Sequence, residues 1–286
     1  MSIKNICLVA MSLTLFACTE TKNETGNKAA DNEATQKTED VKSHESKRVE
    51  TKNILISGEF YQITNIGSPN IIFTEGPCSI TAEGTPDLLD MVKATVDSGT
   101  LTVNLGDDEN IDVHQFSSSN NNVTLHISCP ELRILALCSS GNFTSESDIH
   151  TSDIHIGTLS TGSIVAKNII CSGSFKYESS DKGTAVFEHI QAGGDSKFLL
   201  GGEGATVADI DITAPLYVDL DSHANLELSG NASELEIMGF GQSHGNFSIN
   251  ADKLTVTALG HSWIKLTGNY KSKEINRKEK GQVTFE

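Results

Sequence analysis

Short apolar runs, most of them alternating with polar residues, recur along the chain from residue 54 onward. Ile54-Leu55-Ile56, Ile71-Ile72-Phe73, Leu101-Thr102-Val103-Asn104-Leu105, Val123-Thr124-Leu125-His126-Ile127, Leu226-Glu227-Leu228 and Leu254-Thr255-Val256 are of this kind. A period of two puts one set of side chains on a buried face and the other in solvent, which predicts half-buried strands. One segment departs from it. Leu88, Leu89, Met91 and Val92 sit at helical spacing behind Thr85-Pro86, a start signal, and predict a short helix over 86–96. Nowhere do strands and helices alternate regularly as in a parallel α/β sheet, so the pattern predicts an all-β fold.

From about residue 130 the strands repeat. Ser139-Ser140-Gly141-Asn142-Phe143 returns as Ser160-Thr161-Gly162-Ser163-Ile164, 21 residues on, and as Cys171-Ser172-Gly173-Ser174-Phe175 after 11 more. Ser222-His223-Ala224-Asn225-Leu226 returns as Ser243-His244-Gly245-Asn246-Phe247, again 21 on, and Leu228-Ser229-Gly230-Asn231 as Leu266-Thr267-Gly268-Asn269. Apolar anchors follow at steps of 8 to 12: Phe143, Ile164, Phe175, Val186, Phe198, Val207, Val218, Leu228, Ile237, Phe247, Val256 and Ile264. A unit near 21 residues with small polar turns predicts a β-solenoid, its coils ~4.8 Å apart. An antiparallel sandwich is the alternative, since it too has turns every 8–12 residues. Before residue 130 the repeat is poor, which predicts a less regular β portion or a cap there. A cap is required because a bare solenoid end leaves strand edges unpaired.

The N-terminus changes the picture. Lys4 precedes an apolar run from Ile6 to Phe16, 11 residues against the roughly 20 that span a bilayer. It suits a secretory signal peptide over 1–17. Leu15-Phe16-Ala17-Cys18 resembles the lipobox of bacterial lipoproteins. That resemblance implies a lipidated Cys18, palmitate included, and a membrane anchor without a spanning helix. Residues 18–53 lack aromatic residues and mix charges, which predicts a disordered tether ahead of a folded domain at 54–286.

Acids outnumber bases 38 to 21, a formal charge of −17. Eight acids between Glu20 and Glu50 are matched by Lys4 and seven bases between Lys22 and Lys52, so the whole excess falls on 54–286. Such a domain repels phosphate backbones, which disfavours nucleic acid as a partner. Across 54–270 the cations are Lys93, Arg133, Lys167, Lys176, Lys182, Lys197, Lys253 and Lys265, too few for a polyuronate substrate. Ser beside Gly recurs through the turns of this chain and singles out no nucleophile, so no catalytic residue and no cofactor is predicted.

His223, His244 and His261 are the candidates for metal chemistry. The first two share a Ser-His turn and lie one repeat apart, with Asp219 and Asp221 near them in sequence. Stacked imidazoles would suit Zn²⁺; a hydrogen-bonded side-chain ladder is the plainer expectation. Asp107-Asp108-Glu109-Asn110 with Asp112 is oxygen-rich but lacks EF-hand spacing. Cys78, Cys129, Cys138 and Cys171 allow three disulfide pairings. Cys138 and Cys171 both precede a Ser-Gly turn, which predicts free thiols stacked inside the solenoid. Lys271, Lys273, Arg277, Lys278 and Lys280 make the C-terminus basic, read as a solvated hairpin.

A further resemblance covers 54–286. Ile63–Ile66, Ser68-Pro69-Asn70, Ile71-Ile72-Phe73, Thr85-Pro86-Asp87-Leu88-Leu89-Asp90, Ser98-Gly99-Thr100-Leu101-Thr102-Val103, Ile127-Ser128-Cys129-Pro130-Glu131-Leu132, the Ser-Gly units, Lys265-Leu266-Thr267-Gly268-Asn269 and Gly281-Gln282-Val283-Thr284-Phe285 follow in order. This succession resembles the putative auto-transporter adhesin, head GIN domain family of bacterial envelope lipoproteins. The resemblance implies a right-handed parallel β-helix like that of pectin lyases without their catalytic residues, and a role in adhesion. The expected protein is a non-catalytic, lipid-anchored envelope protein on the periplasmic or surface side of the outer membrane. Its solenoid would bind glycan or another envelope or host protein. A structural or envelope-sensing scaffold and a degenerate carbohydrate-active enzyme are the alternatives.

Overall fold

The computed structural model describes residues 48–105, 123–159 and 161–286. The leader, Cys18, most of the tether and the acidic loop at 107–112 lie outside them. The N-terminal third holds β1 (Glu50–Asn53), β2 (Gln62–Asn65), β3 (Asn70–Glu75), β4 (Ser79–Gly84), the helical turn α1 (Pro86–Leu89), β5 (Val92–Asp97), β6 (Thr100–Leu105) and β7 (Thr124–Cys129). The body holds β8 (Ile134–Leu137), β9 (Phe143–Ser145), β10 (Ile149–Thr151), β11 (Ile154–Thr158), β12 (Ser163–Cys171), β13 (Phe175–Ser179), β14 (Thr184–Ala192) and β15 (Ser196–Leu200). It continues with β16 (Ala205–Leu220), β17 (Asn225–Gly239), β18 (His244–Ala258), β19 (Trp263–Thr267), β20 (Tyr270–Arg277) and β21 (Gln282–Phe285).

These strands wind into a β-solenoid of about 8 turns, with 65% of the described residues in strands and 2% in helix. The pairings that build the body are parallel, as stacked coils require and an antiparallel sandwich does not. β12 shows the shape of a coil: its first half stacks on β9 and its second half on β10, so one strand turns a corner. Inward-pointing residues then align along the axis. Ile149, Ile169, Ile190 and Ile210 form one such column and are buried. Phe175, Tyr177, Phe187 and Phe198 pack ring to ring at 5.2–6.3 Å across two coils. Each such ring contributes roughly 1.5–3 kcal/mol through burial alone. Two expected anchors are not in the core: Val186 and Val207 are 41% and 45% exposed. Phe187 and Ala208, one residue later, point inward instead; the larger apolar area of Phe187 decides which way that strand faces.

The coil length is not constant. Ser163 lies beside Thr184, and Thr184 beside Ala205, each pair separated by 21 in the chain, like Asn142 and Ser163. Register shifts between Phe187 and Ile190 and between Ile212 and Pro215 each drop one residue. Beyond them Asn225 pairs with His244, and His244 with Trp263, at a separation of 19, like Asn231 and Asn250.

The N-terminal third reverses the order of coils. Gln62 in β2 pairs with Thr100 on one side and Ile134 on the other. Ile71 in β3 likewise lies between Leu125 and Phe143. The first coil laid down in sequence is therefore second in space. The chain returns outside it to form β6 and β7, then crosses to β8. Antiparallel strands close the outer edge: β5 on β6, β4 on β7, and β1 on β4. That is the expected cap, and it starts earlier than composition suggested, because Glu50–Asn53 of the tether segment forms its outermost strand. The helix is shorter than expected. It ends at Leu89, and Val92, Ala94 and Val96 pair with Leu105, Val103 and Leu101. Their β-branched, period-two pattern gains a full ladder on β6, which a second helical turn could not offer.

Candidate functional site

Outward-pointing residues also align from coil to coil, so the solenoid surface is a set of columns. One runs Ser163, Thr184, Ala205, Asn225, His244, Trp263 and Gln282. Beside it run Val165, Val186, Val207, Glu227, Asn246, Lys265 and Thr284. This face changes character along the axis, from three exposed valines to an aromatic and amide-rich end. Trp263, the one tryptophan of the chain, is 37% exposed there. Its ring meets His244 edge-on at 6.0 Å and 65°. Gln282 is exposed one coil on, Asn246 half-buried one coil back and Glu227 exposed two coils back, and Lys265 is held by Glu286 at 2.6 Å.

Elsewhere the outer polar residues are spent on each other. Asn250 donates its amide to Asn231 at 3.2 Å, and Asn269 donates to Asn250 at 3.2 Å. Asn142 donates to Asn70, and Ser163 donates its hydroxyl to Asn142. Asp209 takes bonds from His189 at 2.7 Å and Ser229 at 2.8 Å; these two bonds, the His189 one foremost, hold its carboxyl below the usual range. These ladders tie coil to coil.

The register separates the histidines expected to stack. His244 lies between Asn225 and Trp263, not on His223. The His223 amide bonds the Gly202 carbonyl and the His261 amide the Gly241 carbonyl, while the His244 amide bonds the Ala224 carbonyl, so neither His223 nor His261 shares the register position of His244. Among the described residues no group of three or more His, Cys, Asp or Glu is close enough to hold a metal ion. The cause is the coil length. Here the coils repeat every 19 positions, whereas the Ser-His turns recur after 21, so the second turn lands two positions off. Besides His126, which meets Glu83 at 3.5 Å in the cap, the histidines that find carboxylates are His150 with Glu75 at 3.1 Å, His155 with Glu178 at 2.9 Å and His189 with Asp209. Sequence spacing could have paired the last two, which lie about one coil apart; the His150 pair crosses the reversed coil order.

Among the described residues no cysteine is joined to another. Cys138 and Cys171 do not share a column. Cys138 follows β8, whereas Cys171 lies between Thr151 and Ala192. One coil and part of the next separate them along the chain, so their common Ser-Gly context marks two different corners.

The described surface has shallow recesses. One of about 400 Å³ lies over Thr151, Cys171 and Gln191, and one of about 130 Å³ over Tyr217, Glu236 and Lys253. Burial pushes the Cys171 thiol up to about 11, and Cys171 donates to the Gln191 carbonyl. Burial and then the charges of Asp219 and Glu236 push the Tyr217 hydroxyl up to about 12. Among the described residues no helix is long and apolar enough to cross a membrane.

Solved structures share this architecture. A putative adhesin from Parabacteroides merdae aligns over 84% of this chain and 97% of its own, with a TM-score of 0.64 at 14% identity. A putative adhesin from Bacteroides fragilis aligns over 84% and 98%, with a TM-score of 0.54 at 19% identity. A putative lipid binding protein from Parabacteroides distasonis aligns over 84% and 98%, with a TM-score of 0.53 at 17% identity. At these identities the likeness is one of fold. No curated protein matches the chain. Residues 59–198, from the connection after β1 to β15, match the family described as putative auto-transporter adhesin, head GIN domain, so just under half of the chain carries that family's pattern.

Proposed function

We propose that this protein is an envelope adhesin, anchored by a lipid on Cys18 and held off the outer membrane by residues 18–53, whose solenoid binds an uncharged glycan. One observation carries the binding reading: Trp263 stands exposed on an outer face, edge-on to His244, with the side-chain amides of Asn246 and Gln282 one coil to either side. An exposed ring offers the apolar face of a sugar a flat surface, while Asn246, Gln282 and Glu227 supply donors and acceptors for its hydroxyls. The charge of −17 repels acidic glycans and nucleic acids alike. A non-catalytic role agrees with the thiol chemistry, since a nucleophilic cysteine needs its pKa lowered and that of Cys171 is raised. The adhesin family agrees with a place in the cell envelope.

A glycan array probed with the full chain tests this, and hits are then titrated against indole emission, which reports on Trp263 alone. Trp263→Ala is expected to weaken binding at least ~10-fold. Binding that is indifferent to both Trp263→Ala and His244→Ala, or an array without hits, overturns the glycan reading. The second outcome favours a structural scaffold, to which the coil-to-coil ladders of Asn231, Asn250 and Asn269 are suited.

A further inference from the structure

β4 runs antiparallel to β7, with Ser79 opposite Ser128 and Ile80 opposite Ile127. The pairing is intact to its end, where the Ser79 and Ser128 hydroxyls meet at 2.8 Å. One step further the same register sets Cys78 opposite Cys129. Inward and outward positions alternate along both strands. Ile80 and Ile127 are buried, so Cys78 and Cys129 share their inner face, and residues opposite each other in an antiparallel pair point the same way. On the far side of β7 the Gly76 amide bonds the Cys129 carbonyl at 3.1 Å, so the turn from β3 into β4 wraps the end of β7 and holds Cys78 there.

We infer that Cys78 and Cys129 are a disulfide site that clasps the N-terminal cap to the outermost coil. Cross-strand neighbours have Cα atoms ~4.5–5.5 Å apart, inside the range a disulfide accepts. The two other cysteines among the described residues sit elsewhere: Cys171 lies between Thr151 and Ala192, and Cys138 follows a different strand. The thiols now hydrogen-bond outward from each other, Cys78 to the Phe60 carbonyl at 3.6 Å and Cys129 to the Glu131 carbonyl at 3.3 Å. Rotation about each Cα–Cβ bond exchanges those weak bonds for the S–S bond.

The chemistry is thiol–disulfide exchange with a disulfide donor, either a small-molecule disulfide or an oxidised dithiol protein. Half-buried Cys78 is the thiol a donor can reach. Its thiolate attacks one donor sulfur, forming a mixed disulfide and releasing the first donor thiol. Cys129 then loses its proton, attacks the Cys78 sulfur and expels the second donor thiol. Two protein thiols are oxidised, the donor disulfide is reduced by two electrons, and the two protons end on the donor thiols. Burial, then repulsion from Cys78, pushes the Cys129 thiol up to about 12, so Cys129 is the resolving thiol and the closure step speeds up with pH.

The test is oxidation of the full folded chain with oxidised glutathione at about pH 8, then thiol blocking and non-reducing peptide mapping. The expected result is one link, between the Cys78 and Cys129 peptides, and a thermal midpoint at least ~5 °C above the reduced protein. Cys78→Ser, at the half-buried position, is expected to abolish link and shift together. Three results overturn the inference: stable glutathione adducts without closure, a link from either residue to any other cysteine, or unchanged thiols. The wild-type map decides even where Cys129→Ser fails to fold.

Discussion

Ile210 and Gly230 occupy the same corner of successive coils, and there a single methyl group decides what fits. Gly230 has φ of 121°, and a Cβ on it would run into the Ile210 carbonyl oxygen below. Gly230→Ala is expected to cost roughly 3 kcal/mol, strain and overlap together, read as a lowered thermal midpoint. Gly268 repeats the geometry two coils later. This pair was legible in sequence as the Leu-Ser-Gly-Asn and Leu-Thr-Gly-Asn echo, because its separation is a whole number of the shorter coils. The stacking of Gly141 under Gly162 was legible because that pair is one longer coil apart. The face of Val186 was not, since Ala185-Val186-Phe187 is apolar throughout and only packing chooses between its two registers.

Between elements, Glu131 ties the crossing from β7 to β8 to the next coil. Its carboxylate takes the Arg133 guanidinium at 2.6 Å, and the backbone amide and hydroxyl of Ser152 on the next coil, each at 2.9 Å. The Arg133 bond first, then those of Ser152, pull its pKa from 4.5 to about 2. Asp153 is lowered in the same way by the Ser174 amide and hydroxyl. A depressed carboxylate stabilises the fold fully above its unfolded value and loses that contribution as pH falls toward its folded value. The thermal midpoint is therefore expected to fall between about pH 4.5 and pH 2. Glu131→Gln should start lower at neutral pH and fall less across that window, the two curves converging near its acid end. The Glu131–Ser152 pair, 21 apart, follows the coil repeat. The cap's order does not, because Gln62 of β2 stacks on Thr100 and Ile134, separations that no local repeat contains.

For the whole molecule, charge and ends matter most. Residues 18–53 carry 8 acids and 7 bases, nearly balanced, and residues 54–286 carry −17, so the two stretches are chemically distinct. Cys18→Ser is expected to move the protein from the membrane to the soluble fraction of an expressing bacterium, leaving the melting curve of the solenoid unchanged. Retention in the membrane would mean that another group makes the attachment. Alternating polarity and small polar turns were enough by themselves to determine an all-β fold, and the recurrence near 21 favoured a coil; the parallel pairings that exclude an antiparallel sandwich came only with the tertiary structure. Those sequence features could not determine register in the second half. The slip from the longer coil to the shorter one is two positions, one full strand period, and leaves every side chain on the face it had. Hydrophobic pattern is blind to that slip, and only the backbone bonds of the folded chain chose Asn225 and Trp263, not His223, as neighbours of His244. The same holds at the N-terminus, where the outer edge had to be covered and the tertiary structure met that need by sending the chain back past its own first coil.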